Sequence, residues 1–212
     1  MDILSAEKRR GKQYLLTVLN DSGDEIKTLI DSRTYDESGY KHQNCITEDE
    51  YEGLLTVSRQ NRAREKALYL LSLRDHSKSE LMKKLRDGEN TDEAAAAVDR
   101  MEELGLIDDA VYASRLAKDL RERKHYSRRH AIQELQSRGI GRETAENAVD
   151  KIPVTDFVEA LALIQKKRYN LNDEETGCKA AGMLARLGFG WSDIRAAIKE
   201  VKNAEIENED DE

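Results

Sequence analysis

A cluster of basic residues offers the clearest chemistry in this sequence. Nine lysines and arginines lie between Arg115 and Arg142 against three carboxylates, so the window carries a charge of +6. Tyr126 and His130 lie among them. Cations beside an aromatic ring can hold phosphates, stack on a base or bind an acidic partner. The alternative is a solvated helix end, where the helix dipole favours cations in any case.

A second basic group, Lys166-Lys167-Arg168, is followed directly by Tyr169. It stands at the end of a helical pattern that matches the one carrying the first group. Both groups are therefore predicted to contact a partner. The candidate contact residues are Arg121, Arg123, Lys124, Arg128, Arg129, Arg138, Arg142, Lys166, Lys167 and Arg168.

Catalytic chemistry finds no support in the sequence. It contains no glycine-rich phosphate loop ending in Gly-Lys-Ser/Thr, no His-Glu-x-x-His pair and no Gly-x-Ser-x-Gly elbow. The carboxylate pair Asp108-Asp109 follows Gly105 and is read as a cap for the next helix. The sequence thus predicts a protein that is not an enzyme and needs no cofactor or metal. Its four histidines lack a cysteine or serine partner in a recognisable context: His42, His76, His125 and His130.

The remaining bulk features point to the cytoplasm. Cys45 and Cys178 are far apart and lack neighbours at metal-ligand spacing, which predicts two reduced thiols. No apolar run approaches the roughly 18 residues of a membrane helix. Charges also interrupt the first residues, where a signal peptide would be apolar.

The helices that carry the basic residues repeat along the chain. Ser77–Leu85 aligns with Ser127–Leu135, and a third copy begins at Cys178. Repeats of about 45–50 residues are typical of small units stacked side by side. The sequence therefore predicts three three-helix units, 61–107, 108–152 and 153–202, in an elongated, mainly α body. Each copy ends at a glycine suited to a left-handed helix cap: Gly88, Gly139 and Gly188.

The turn from Leu135 to Gly141 also allows a second interpretation. Followed by Ala145, it resembles a helix-hairpin-helix, whose backbone N–H groups bind a DNA phosphate. The alternative is an ordinary glycine-capped turn between packed helices, and its recurrence at Gly188 favours that reading.

Residues 1–60 have a different pattern. Gln13–Leu19 and Glu25–Ile30 flank turn-forming residues and predict a β-hairpin, with Cys45-Ile46 as a third short strand. Thr47–Glu50 is a capping box that starts a helix near Glu48. At the other end, residues 203–212 hold six acidic and no basic residues and are predicted to be disordered.

Charge is therefore unevenly distributed. Charged residues make up 37% of the chain, and the net charge of −8 argues at first against a nucleic-acid partner. Residues 1–60 account for −4 of it and residues 203–212 for −6, whereas residues 61–202 sum to +2. The body of the chain is thus compatible with a nucleoprotein partner.

Three motifs follow one another in the first unit, and parts of them return later. The second unit repeats parts of these motifs in Ser127–Leu135 and Arg138–Ile140, and the third unit repeats parts of them in Leu184–Phe189. In this order and spacing, over about residues 62–202, they resemble the RecX family of bacterial regulators. The three motifs are Ala67-Leu68-x-Leu70-Leu71, His76-Ser77-x-x-Glu80-Leu81-x-x-Lys84-Leu85 and Leu104-Gly105-Leu106-Ile107-Asp108-Asp109.

The resemblance implies a function that the residues alone do not reach. RecX-like proteins bind the RecA recombinase filament in its helical groove and modulate its assembly, ATPase and strand exchange; inhibition is the expected direction. Some also contact single- or double-stranded DNA. The family's architecture implies a curved body of tandem three-helix units, and we expect a monomer. Two alternatives remain open: an independent DNA-binding module that uses Arg121–Arg142, and a generic helical scaffold.

Overall fold

The computed structural model describes residues 1–87, 91–169, 171 and 173–210, with side chains as far as residue 204. The chain divides into two compact units, Met1–Ile107 and Asp108–Glu212. The described residues are mostly helical and contain one small sheet, which confirms the predicted fold class. Within them, no helix is both long enough and apolar enough to cross a membrane.

The first unit opens with a three-stranded antiparallel sheet. Its strands are β1 (Asp2–Arg9), β2 (Gln13–Leu19) and β3 (Glu25–Asp31), in the order β1-β2-β3. The predicted hairpin is β2-β3, joined by a turn in which Gly23 adopts a φ of 85°. That left-handed conformation is strained for residues with a Cβ, so the turn requires glycine there.

Strand β1 was not predicted from the sequence. Only Ile3 and Ala6 of this strand pack on the apolar core, and charged residues occupy its last three positions, so alternation is weak. The predicted third strand at Cys45-Ile46 is instead an isolated bridge between Asp2 and Cys45.

The sheet packs on a long helix. After α1 (Ser32–Glu37) and a 3₁₀ turn (Tyr40–His42), helix α2 runs from Glu48 to Leu73. Its predicted capping box is confirmed: the Thr47 hydroxyl accepts from the Glu50 N–H, and the Glu50 carboxylate accepts from the Thr47 N–H. The bonds that the Glu50 carboxylate accepts from the Thr47 N–H and hydroxyl lower the pKa of Glu50 because they favour its charged form.

Helix α2 contributes to two cores. Its first half buries Tyr51, Leu54 and Leu55 against β2 and β3, and its second half buries Ala63 and Ala67 in a three-helix core. The predicted boundary at residue 60 therefore lies inside a continuous helix. That core is completed by α3 (Lys78–Arg86) and α4 (Thr91–Glu103). The predicted cap at Gly88 lies outside the described residues.

The second unit contains two three-helix sets, each with its own core. Asp108 caps the first helix of the unit by accepting from the N–H groups of Ala110 and Val111, as the sequence predicted. Gly139 and Gly188 adopt φ values of 80° and 81°, which confirms left-handed glycines after the helices that end at Ser137 and Arg186. The six helices are α5 (Asp109–Lys118), α6 (Arg128–Ser137), α7 (Arg142–Asp150), α8 (Asp156–Lys167), α9 (Glu174–Arg186) and α10 (Trp191–Asp210).

The C-terminal residues differ from the prediction. Disorder was expected from residue 203, but the backbone of α10 is helical as far as Asp210. No glycine or proline interrupts residues 191–210, and glutamate and alanine are good helix formers. The last two residues lie outside the described part of the chain.

Candidate functional site

Arg121 lies inside the second unit and not at its surface. A π-helical turn, Asp119–Arg123, follows α5 and directs this side chain inward, where the residue is 2% exposed. One guanidinium nitrogen donates to Asp156 Oδ1 and to the Tyr126 carbonyl, both at 2.6 Å; the other donates to the Val154 carbonyl at 2.5 Å. The prediction that Arg121 contacts a partner thus needs correction, because the residue is buried and both terminal nitrogens of its guanidinium donate within the chain.

The segment after the π turn docks onto the third three-helix set. His125, at a φ of 55°, places its Nδ1 2.7 Å from Oε2 of the buried Glu159. The Ser127 hydroxyl donates to the Leu187 carbonyl at 2.6 Å and caps α6 by accepting from the His130 N–H. The backbone N–H of Arg128 donates to Asp156. This segment therefore fixes two helix sets against each other.

Several predicted contact residues remain exposed but are already paired. Arg128 forms two hydrogen bonds to Asp150, at 2.6 and 2.9 Å, which lower the pKa of that carboxyl. Arg123 and Lys124 both lie within 4 Å of Asp119. Exposed pairs of this kind contribute only about 0–1 kcal/mol, so a partner can displace them at little cost. Two further predicted residues bind a glutamate four positions away: the half-buried Arg138 binds Glu134, and the exposed Arg142 binds Glu146.

Four predicted residues are exposed and have no ion-pair partner in the described part of the chain: Arg129, Lys166, Lys167 and Arg168. Arg129 lies beside the Gly188 turn, since its Cβ and Cδ are 3.7 Å from the position of a Cβ on Gly188. Lys166 and Lys167 lie in the last turn of α8, and Arg168, which has a φ of 52°, caps the C-terminal end of this helix. These four cations are the side chains most available to an anionic partner.

The aromatic residue of the basic window is less available than expected. The Tyr126 ring is half-buried and packs edge-on against His130, with ring centroids 4.3 Å apart. Lys124 stands 6.0 Å above the same ring. The predicted stacking of a base on Tyr126 would therefore require both neighbours to move.

The described residues also contain no cluster of three or more histidine, cysteine, aspartate or glutamate side chains placed to hold a metal ion. Cys45 and Cys178 are both exposed and unbridged.

A Gly188→Ala variant tests the close contact at the Gly188 turn. A Cβ there would lie 3.0 Å from Ser127 Oγ, and the positive φ adds about 1–2 kcal/mol of strain. We expect a loss of unfolding free energy larger than that of Gly105→Ala, which has a φ of 67° but open space around the new Cβ. Urea denaturation followed by circular dichroism measures both; equal losses would contradict the predicted contact.

Sequence comparison identifies two of the three three-helix sets. Residues 63–101 match the model of the RecX first three-helix domain, and residues 108–149 match that of the second. The regulatory protein RecX of Stenotrophomonas maltophilia (strain R551-3) is 35% identical over 158 residues, which cover 68% of this chain and 93% of that protein. The regulatory protein RecX of Thermobifida fusca (strain YX) is 31% identical over 149 residues, covering 68% and 80%.

Comparison of structures agrees with the sequence. A crystal structure of a regulatory protein RecX superimposes with a TM-score of 0.65 at 20% identity and covers 94% of this chain and all of the other. RecX from Lactobacillus salivarius gives a TM-score of 0.60 at 22% identity, covering 69% and 98%. These two structural similarities concern the fold. The sequence relatives show the family: the chain belongs to the RecX family of regulatory proteins.

Proposed function

We propose that this chain binds the RecA recombinase filament and inhibits its assembly, ATPase and strand exchange, and so regulates DNA repair, recombination and the SOS response. It acts in the cytoplasm as a monomer, by binding and without catalysis. Membership of a family of regulatory proteins supports a regulatory role. The observation that carries the proposed binding is a set of four exposed cations that have no ion-pair partner among the described residues: Arg129, Lys166, Lys167 and Arg168.

These cations fit a nucleoprotein partner for a physical reason. A RecA filament presents both protein carboxylates and DNA phosphates, and unpaired surface cations lose no internal bond when they meet either. They are carried by two separate helix sets of the second unit. Contacts spread over two sets can engage more than one filament subunit, which raises avidity without requiring any single strong contact.

The test is the ATPase of RecA on single-stranded DNA with the full chain added at a stoichiometric ratio to RecA. We expect ATP hydrolysis to fall, and no change would contradict the proposal. An independent DNA-binding module is distinguished by repeating the assay with a large excess of single-stranded DNA. Inhibition that survives the excess supports filament binding, whereas inhibition that disappears indicates that the chain only sequesters DNA.

A further inference from the structure

The most basic short segment of the chain lies outside the surface described above, at the tip of the β1-β2 hairpin. Lys8, Arg9, Arg10 and Lys12 place four cations in five residues. All four are exposed, and Arg10 and Lys12 form no ion pair within the described residues. Arg9 is bonded to Glu7 at 2.8 Å in an exposed pair, which a partner can displace cheaply. We call residues 8–12 the hairpin tip.

The tip is held in a defined conformation. Gly11 and Lys12 have φ values of 84° and 57°, so both are left-handed. That conformation is uncommon for a residue with a side chain and persists only where the surroundings fix it. Here the Ser32 N–H donates to the Lys12 carbonyl at 2.9 Å and ties the tip to the end of β3. The cations are therefore presented from a fixed backbone.

A cavity of about 340 Å³ opens between the tip and helix α2. This volume lies within the roughly 300–1,000 Å³ of small-ligand sites. Tyr69, which is 63% exposed, stands at the cavity, and so do Arg62 and Lys66 of the same helix. An exposed tyrosine beside cations offers the ring on which an unpaired base stacks.

Two carboxylates, Asp31 and Glu65, also line this cavity. Asp31 is buried and accepts hydrogen bonds from the N–H and hydroxyl of Thr34, whereas Glu65 is exposed. Their negative charge disfavours a phosphate or a carboxylate inside the cavity but not a neutral base. The charges thus divide the surface: the tip suits a phosphate backbone, and the cavity suits a base.

We propose that the hairpin tip and this cavity bind single-stranded DNA, with phosphates along Lys8–Lys12 and one unstacked base against Tyr69. Duplex DNA fits less well, because its bases are already stacked and cannot enter the cavity. An acidic peptide also fits less well, because it would bring carboxylates towards Asp31 and Glu65. The site belongs to the first unit and does not depend on RecA.

The experiment measures binding of the full chain, without RecA, to a fluorescent 20-nucleotide oligo(dT) by anisotropy over a range of salt concentrations. The double variant Arg10→Gln/Lys12→Asn removes two charges, and asparagine tolerates the positive φ of residue 12. We expect weaker binding. The slope of log K against log salt concentration should become shallower by about 1.4, because each of the two lost phosphate contacts contributes about 0.7. The matched control Lys83→Gln/Arg86→Gln removes two exposed charges from α3 and should alter the salt dependence little.

A second pair of variants tests the base contact. Tyr69→Ala should weaken binding to oligo(dT) by about 5-fold or more, whereas Tyr69→Phe, which keeps the ring, should not. Binding to a 20-base-pair duplex should be insensitive to Tyr69→Ala.

Three results would overturn the proposal. The tip and control variants could have equal salt dependence, or Tyr69→Ala could leave oligo(dT) affinity unchanged. Finally, poly-glutamate could compete for the chain as well as unlabelled oligo(dT) does, and the Arg10→Gln/Lys12→Asn variant could lose as much affinity for poly-glutamate as for oligo(dT). That result would indicate an acidic protein partner instead.

Discussion

An Arg121→Met variant is expected to lose about 3–5 kcal/mol of unfolding free energy, as is typical when one partner of a buried ion pair is removed. Methionine retains most of the aliphatic volume, so the loss comes from the charge and its hydrogen bonds. Without the guanidinium, Asp156 loses its counter-charge and the carbonyls of Tyr126 and Val154 lose their donor. The π turn would also lose the contact that holds it against the start of α8.

Urea denaturation of the full chain provides the measurement, with fluorescence of the single tryptophan, Trp191, reporting on the second unit. Arg123→Ala is the matched control, because that side chain is 82% exposed and its pair with Asp119 contributes little. Arg121→Lys should recover only part of the loss, since one ammonium cannot reach all three acceptors as the planar guanidinium does. A midpoint for Arg121→Met equal to that of Arg123→Ala would show that the buried network does not stabilise the unit.

The second large effect concerns function and rests on the proposed binding to RecA. In the triple variant Arg129→Glu/Lys166→Glu/Lys167→Glu, three exposed cations become anions. The concentration that half-inhibits the RecA ATPase should rise by at least about 10-fold, which corresponds to about 1.4 kcal/mol and is modest for reversed charges at an interface. None of the three side chains is in a core, so the urea midpoint should stay near that of the unaltered chain.

The control for this variant reverses three other exposed lysines of the second unit, Lys118, Lys151 and Lys199, and so changes the net charge equally. If both variants weakened inhibition of the RecA ATPase equally, the net charge of the chain would govern binding, and the predicted residues would make no specific contact. An unchanged half-inhibiting concentration for the first set would remove those residues from the proposed interface.

Features set by neighbouring residues were predictable from the sequence. The Thr47 capping box, the Asp108 cap and the β2-β3 hairpin each depend on a few consecutive side chains, so their residue types reveal them. The glycines after α6 and α9 are predictable for the same reason. Strand β1 was missed because pairing with β2, and not its own alternation, makes it a strand.

The candidate site was predictable as a region but not residue by residue. A dense group of cations indicates a basic surface, yet charge alone does not distinguish an exposed arginine from one that binds an internal carboxylate. Arg121 and Asp156 are 35 positions apart, and His125 and Glu159 are 34 apart. No local periodicity links such distant positions, so only the packed helices reveal these pairs. The same packing shows that Arg129, and not Arg121, faces outward.

Helix α2 ties the stability of the sheet to that of the first three-helix core. Its 26 residues form one continuous helix of about 39 Å, and both cores pack on it. Protection of its amide protons against exchange should therefore be nearly uniform from Leu54 to Ala67, because both ends open in one cooperative step. A chain that lost only its three strands would expose Tyr51, Leu54 and Leu55 to water. The three-stranded sheet thus cannot be lost alone in evolution: its loss requires that the first half of the helix be deleted or substituted as well.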